Sequence, residues 1–181
     1  MRVSRWEPVL EELVRERYPR LLSRATLLTG SRHDAEDLVQ EALVASFSGR
    51  ARFASVAEAE AYVRRAIASR FVDRVRSTAR ERAARVRLAG LRAETVAEPP
   101  TGLSADLVRA LGVLPPRVRA CVALRYLDDL SIHETAVTLG LTDGAVKRYT
   151  TDGIAVLDAA LGTTTPRDLE IVPVREVRHG A

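Results

Sequence analysis

The chain has 181 residues, with 46% apolar and 4% aromatic side chains, a formal net charge of +4 and a single cysteine. This length allows one domain or two small ones, and cores built mainly from Leu, Val and Ala favour helices over sheets. One cysteine excludes an internal disulfide, and Cys121 lies in an apolar run that predicts a buried thiol. No run approaches the roughly 20 apolar residues that span a bilayer, and the charged first residues do not resemble a signal peptide. We therefore expect a cytoplasmic protein without a membrane segment.

The positive charge is concentrated in the middle of the chain. Ten arginines lie between residues 62 and 92, against only two acids, Asp73 and Glu81. Because so few acids are available to pair with them, a solvated helix face explains this run less well than contact with a polyanion does. The distribution predicts a nucleic-acid partner.

The first predicted helix covers residues 7–29, where apolar residues recur at helical spacing and Pro19 predicts a break or kink. Ser31 followed by Asp34 resembles a capping box for the second helix. The buried stripe of that helix is predicted to be Ala35, Leu38, Val39, Ala42, Leu43 and Phe47.

A looser segment follows over residues 50–61, and a long basic helix is predicted from about Ala59 to about Arg92. Its inner face is predicted to consist of Tyr62, Val63, Ala66, Ile67, Phe71 and Val75. Its arginines then remain on the outside. Residues 93–103 are interpreted as a flexible linker, since two prolines stop a helix there.

A second helical block begins near Ser104. Two amphipathic helices are predicted first, the second of them opening at Pro115–Pro116. Ser131 caps the next helix, Gly140 makes the bend and Thr142 caps the last helix, which together form a helix-turn-helix pattern. The predicted fold is all-α, with two small helical domains at 1–92 and 104–161. Residues 162–181 form a tail to which no role is assigned.

The last helix has the layout of a DNA-reading helix, yet residues 141–157 carry only two basic side chains against two acidic ones. Its inner positions are predicted to be Val146, Thr150, Gly153 and Leu157. Lys147, Arg148 and Thr151 are then left facing outward. Asp152 would repel phosphate, and Gly153 inside a helix costs up to about 1 kcal/mol relative to Ala. Because the helix also has so few basic side chains, we expect it to bind DNA weakly on its own.

No motif for catalysis or for a cofactor is present in the sequence. His33, His133 and His179 lack metal-ligand spacing, and the glycines form neither a dinucleotide fingerprint nor a phosphate loop. The carboxylates of Asp34, Glu36, Asp37 and Glu41 are interpreted as a surface acidic patch. The alternative to a surface patch is an enzyme that uses this carboxylate cluster, and a bound metal ion would support that alternative. We expect no enzyme activity, no cofactor and no metal.

Two separated stretches together resemble one family. DAEDLVQEALVASF (34–47), followed by YVRRAIASRFVDRVRS (62–77), is similar to the second region of bacterial RNA polymerase sigma factors of the extracytoplasmic-function (ECF) type. LGVLPPRVRACVALRYLDDLSIHETAVTLGLTDGAVK (111–147) is similar to the fourth region of the same proteins. The resemblance implies a sigma factor that binds core RNA polymerase and directs it to promoter DNA. An anti-sigma factor is a further partner that the family implies.

The resemblance also implies roles for particular residues. Polymerase binding falls on the exposed polar face of Asp37, Gln40 and Glu41. Recognition and opening of the minus-10 element fall on Arg64, Arg65, Ser69, Arg70, Arg74 and Arg76, with 50–61 as the loop that receives an unstacked base. Minus-35 recognition falls on Thr142, Lys147, Arg148, Tyr149 and Thr151.

The chain departs from the family pattern at two places in the second region. Tyr62 stands where Trp is common, and Ser69 stands where Asn is frequent.

The alternative function is a helix-turn-helix regulator, or a degenerate sigma-like protein, that does not support initiation.

Overall fold

The computed structural model describes residues 6–48, 52–85 and 105–162, with the side chains of 79–85 excepted. Within these ranges the chain forms seven α-helices: α1 (Glu7–Thr29), α2 (Arg32–Phe47), α3 (Val56–Arg85), α4 (Ala105–Val113), α5 (Pro116–Val122), α6 (Ile132–Leu139) and α7 (Asp143–Leu161). A π-helical turn over Ala123–Leu127 continues α5. The described ranges are helical as predicted. The linker over 93–103 and the tail beyond residue 162 lie outside them.

Helices α1, α2 and α3 pack against one another and form the first block. The predicted stripe of α2 is confirmed at Ala35, Leu38, Val39, Ala42 and Phe47, which are buried. Leu43, the remaining member, is only partly buried. The break expected at Pro19 is wrong, because α1 runs through this residue as one helix. Pro19 and Arg15 are both exposed, so water can satisfy the carbonyl that the missing proline N–H leaves free.

Helix α3 begins earlier than the sequence predicted. The Ser55 hydroxyl accepts a hydrogen bond from Glu58 N at 3.2 Å, and the Glu58 carboxylate accepts one from Ala54 N at 2.7 Å. This reciprocal cap starts the helix at Val56 and shortens the expected loop. Val63, Ile67 and Phe71 are buried as expected, but Tyr62 is 45% exposed instead of facing inward.

Helices α4 to α7 form the second block, and its local signals are confirmed. Ser131 and Glu134 make a full capping box at the start of α6. Gly140 ends α6 with φ of 61°, in the left-handed region that favours glycine. Thr142 caps α7 by accepting a hydrogen bond from Ala145 N at 3.2 Å. The pair α6 and α7 is therefore the predicted helix-turn-helix.

Gly153 lies where α7 crosses α5. A Cβ atom at this position would lie 2.6 Å from Val122 Cγ2 and 2.8 Å from Val118 Cγ1. Both distances are shorter than carbon atoms tolerate, and β-branched side chains in a helix have little freedom to move away. The close approach of the two helices explains a glycine that helix propensity alone disfavours.

The two blocks also pack against each other and share one core. Cys121, Leu124 and Val146 of the second block belong to the same buried cluster as Leu38 and Ile67 of the first. The predicted burial of the thiol is confirmed, and burial raises the pKa of Cys121 to about 11. Among the described helices, none is long and apolar enough to cross a membrane.

We expect Gly153→Ala to lower the free energy of unfolding by about 1–3 kcal/mol, since the added methyl group overpacks the contact with α5. Gly144→Ala in the same helix is the matched control, because a Cβ there meets nothing within 4 Å. Urea titrations followed by circular dichroism measure both variants. Equal stability of the two variants would contradict the close approach.

Candidate nucleic-acid and protein interfaces

The acidic face of α2 borders an open groove. Asp37, Gln40 and Glu41 are all exposed, and they line a groove of about 500 Å³ together with Val44. Val44 is 65% exposed, which is high for an apolar side chain on a packed helix. The groove therefore offers carboxylates beside an apolar contact, a combination that fits a basic, amphipathic protein surface.

Two arginines of α3 lie on the same groove. Arg74 Nη2 is 2.8 Å from Glu41 Oε1, and Arg70 lines the groove beside it. The hydrogen bond from Arg74 lowers the pKa of Glu41, so this carboxylate is ionised at neutral pH. These two arginines thus face the acidic side of α2, and Arg74 already has an anionic partner there.

The other predicted members of the basic set lie elsewhere around α3. Arg64 Nη1 is 3.5 Å from Asp128 of the second block. Arg65 Nε donates to the Ala61 carbonyl at 3.3 Å, and Arg76 Nη1 is 3.6 Å from Asp73. Ser69, which carries no charge, is half-buried and lines a pocket with Tyr62, Arg70 and Arg74 on the side of α2. The five arginines therefore do not form one continuous basic stripe.

An aromatic pocket lies beside the loop that enters α3. Trp6, Val9, Arg52, Phe53 and Ala54 line a cavity of about 350 Å³. The Phe53 ring is 5.1 Å from Phe47 and 5.3 Å from Tyr62, measured between centroids. Sequence reasoning named the loop but missed Trp6, which lies far away in sequence. Aromatic faces beside a guanidinium are suited to stack on a nucleobase.

The outer face of α7 agrees with the sequence prediction. Val146, Thr150, Gly153 and Leu157 are buried. Lys147, Arg148 and Thr151 are exposed. Tyr149 is half-buried and packs against the core, with the Arg148 guanidinium 5.2 Å from its ring centroid. Arg148 and the edge of Tyr149 therefore present one combined surface.

The acidic side chains of α2 do not converge on a metal site. Among residues 6–48, 52–85 and 105–162, no three His, Cys, Asp or Glu side chains lie close enough together to hold a metal ion. The carboxylates of α2 instead face solvent or a neighbouring arginine, such as Glu36 with Arg32 at 2.9 Å.

Comparison with known proteins assigns the two blocks to one class. The pattern of Sigma-70 region 2 matches residues 13–81. The pattern of Sigma-70 region 4 matches residues 104–155. The arrangement is thus that of a two-region sigma factor, with a three-helix block followed by a helix-turn-helix block.

Two relatives indicate which type of sigma factor the chain resembles. The RNA polymerase sigma-E factor of Streptomyces antibioticus is 33% identical over 88% of this chain and 87% of its own length. The ECF RNA polymerase sigma factor SigE of Mycolicibacterium smegmatis is 34% identical over 77% of this chain, which spans 56% of that relative. The chain belongs to the ECF RNA polymerase sigma factors.

A solved structure supports the fold. The sigma factor RpoE of Bartonella quintana, in complex with the anti-sigma factor NepR, matches 88% of this chain and 96% of its own, with a TM-score of 0.62. The two sequences are 21% identical. This likeness extends over both helical blocks and so concerns the architecture as a whole.

Substitution of Thr142 tests the N-terminal cap of α7, the predicted DNA-reading helix. We expect Thr142→Ala to lower the free energy of unfolding by about 1 kcal/mol, because Ala145 N loses its acceptor. Thr142→Ser retains the hydroxyl and should keep most of the stability. Thr151→Ala, an exposed change in the middle of α7, is the control and should be neutral or slightly stabilising, because Ala favours helix more than Thr does. A loss in all three variants would show that the cap contributes nothing specific.

Proposed function

We propose that this chain binds core RNA polymerase, directs it to promoter DNA and supports the initiation of transcription. The observation that carries the proposal is the combination, in one chain of this family, of an exposed carboxylate groove on α2 with a helix-turn-helix in the second block. A simple DNA-binding repressor has no need of the first surface. The role requires no catalytic residue in this chain, and it is performed where the polymerase works, in the cytoplasm.

Polymerase binding is assigned to the groove of α2. Asp37, Gln40 and Glu41 present oxygens to a basic partner surface, and Val44 gives that partner an apolar contact. Charge-assisted hydrogen bonds of this kind are strong when a partner excludes water from them. The Arg74 guanidinium holds Glu41 ionised and in position, so Arg74 acts here as a positioning residue.

Opening of the minus-10 element is assigned to the first block. The pocket of Trp6, Arg52 and Phe53 is the site that would receive an unstacked base, because stacking of a base on an aromatic ring contributes about 1–3 kcal/mol. In this proposal Arg65 and Arg76 hold phosphates without reading sequence. Binding energy to the separated strand offsets the cost of unstacking, so no nucleotide hydrolysis by this chain is needed.

Minus-35 recognition is assigned to α7, whose exposed residues face the major groove in this proposal. Lys147 and Arg148 supply the charge, and Thr142, Tyr149 and Thr151 complete the surface. The exposed carboxylates of Asp143 and Asp152 on the same helix repel the phosphates of DNA. Affinity therefore has to come largely from the polymerase and from the first block.

Partners other than polymerase and DNA follow from the relatives. The RpoE protein of Bartonella quintana binds the anti-sigma factor NepR, and we include an anti-sigma factor among the proposed partners of this chain.

The nearly neutral charge of α7 favours one alternative function, a sigma-like regulator that does not support initiation. Transcription in vitro on genomic fragments with core polymerase distinguishes the two, since only a sigma factor yields RNA with defined start sites.

The groove on α2 is tested by charge reversal. We expect Asp37→Arg plus Glu41→Arg to abolish co-purification with core polymerase and transcription in vitro, because the new cations repel a basic partner. Glu11→Arg plus Glu12→Arg makes the same change of net charge on exposed positions of α1 and should leave both readouts near those of the unchanged chain. Retention of polymerase by the α2 variant would refute the assigned surface.

The reading helix is tested in the assembled enzyme. We expect Lys147→Ala plus Arg148→Ala to weaken binding of the holoenzyme to duplex promoter by about tenfold or more. Arg109→Ala plus Arg117→Ala removes two exposed cations from α4 and α5 as the control and should change little. In filter binding, the free chain should bind duplex promoter poorly at physiological salt. Tight, sequence-specific binding by the free chain would contradict a helix that depends on the polymerase.

A further inference from the structure

The first turn of the reading helix contains a glycine that the folded chain does not require. Gly144 is the second residue of α7 and is exposed. Its φ is not among the positive values, which in the described ranges belong to Gly30, Gly140, Gly162 and Asp129. A Cβ atom at this position would meet nothing within 4 Å. Neither backbone conformation nor packing within the described part of the chain therefore explains the glycine.

Gly153 of the same helix has a structural reason, and it lies on the other side. A Cβ atom at Gly153 would lie 2.6 Å from Val122 Cγ2 of α5. Gly144 precedes Gly153 by about two and a half helical turns, which places the two glycines on opposite sides of α7. Gly144 and Arg148 are about one turn apart and both are exposed, so they share one line of the helix surface. Gly144 therefore lies at the first-turn end of the outward face.

The neighbouring side chains leave the main chain of Gly144 uncovered. Side chains of a helix lean toward its N-terminus, so a residue one turn further on can cover the preceding turn. For Gly144 that residue is Arg148, but the Arg148 guanidinium lies 5.2 Å from the ring centroid of Tyr149 instead. The first turn of α7 thus presents bare main chain on its outward face, beside the exposed cations of Lys147 and Arg148.

The dimensions of DNA give this bare position a use. The major groove is about 12 Å wide, and an α-helix with its side chains is about 10–12 Å across, so a helix in the groove has little room to spare. The N-terminal residues of a reading helix are the ones that meet base edges. Glycine lets main chain approach a ligand closely, although within a helix it is less favourable than alanine. At Gly144 the helix is narrowest on the side that would face the floor of the groove.

We propose that Gly144 is the point of closest approach between α7 and the minus-35 element, where a base-pair edge packs directly against the main chain. This role rests on the proposed function, since it requires α7 to enter the major groove. The contact depends on shape and requires no charge. It therefore suits a helix whose two basic residues are offset by Asp143 and Asp152. Deep seating at Gly144 also brings Lys147 and Arg148 within reach of the DNA.

Larger residues at position 144 test this proposal in the assembled holoenzyme. We expect Gly144→Ala to weaken binding to a duplex promoter with an intact minus-35 element by about tenfold, and Gly144→Leu by more, because an added side chain overpacks a close contact. Fluorescence anisotropy of labelled promoter DNA measures the affinity. Urea titration of each free chain should show no loss of stability, since alanine and leucine favour helix over glycine. Gly112→Ala makes the same change at an exposed, open position of α4 and should leave promoter affinity unchanged.

The minus-35 element itself provides a second control. On a promoter in which this element is replaced, the unchanged and variant holoenzymes should bind with the same, lower affinity. Undiminished affinity of Gly144→Leu for the intact promoter overturns the proposal, and so does a loss by the same factor on both promoters. The slope of log affinity against log salt should match that of the unchanged chain, because no phosphate contact is removed. A smaller slope overturns contact with base edges.

Transcription in vitro separates this proposal from the function on which it rests. If the unchanged holoenzyme makes RNA with defined start sites while both Gly144 variants bind the promoter normally, only the role of Gly144 is refuted. Absence of such RNA from the unchanged holoenzyme refutes the proposed function, and the role of Gly144 with it.

Discussion

The burial of one apolar face of α3 determines where the charged groups of this helix lie. Val63, Ile67 and Phe71 are buried among helices of both blocks, so the arginines between them must emerge on the two flanks. One flank meets the acidic side of α2, where Arg74 pairs with Glu41. The other flank meets Asp128 of the second block. A helix that is strongly basic in sequence is therefore partly neutralised by its own fold.

The reading helix shows a similar balance between packing and binding. Its inner face is determined by the crossing with α5, where only glycine fits at position 153. Its outer face has room for a few contacts, and the charges of Asp143 and Asp152 offset those of Lys147 and Arg148, the two basic residues of this helix. Weak binding by this helix gives selectivity only when a second surface is engaged at the same time, because linked contacts multiply their effect. A polymerase that holds both blocks supplies that linkage.

Local features were predictable from the sequence because their causes act over three or four residues. The caps at Ser131 and Thr142, the buried stripe of α2 and the outward side of α7 all follow from helical spacing. The cap at Ser55 carried the same signal and was missed. The break expected at Pro19 was wrong because exposure of the freed carbonyl cannot be predicted from the local sequence. The partners of Asp128 and the proximity of Trp6 to Phe53 depend on long-range packing that periodicity does not specify.

Charged groups also lie in the interface between the two blocks, where Asp128 is flanked by Arg24 of α1 and Arg64 of α3. Replacing buried ion pairs by well-packed apolar groups is often stabilising, so the stability of this interface comes mainly from the apolar contacts around Cys121 and Leu124. The ion pairs contribute to the geometry instead, because removal of one partner would leave the other charge buried without compensation. The relative position of the two blocks therefore depends on a few charged residues, while the stability of the contact depends on the shared core.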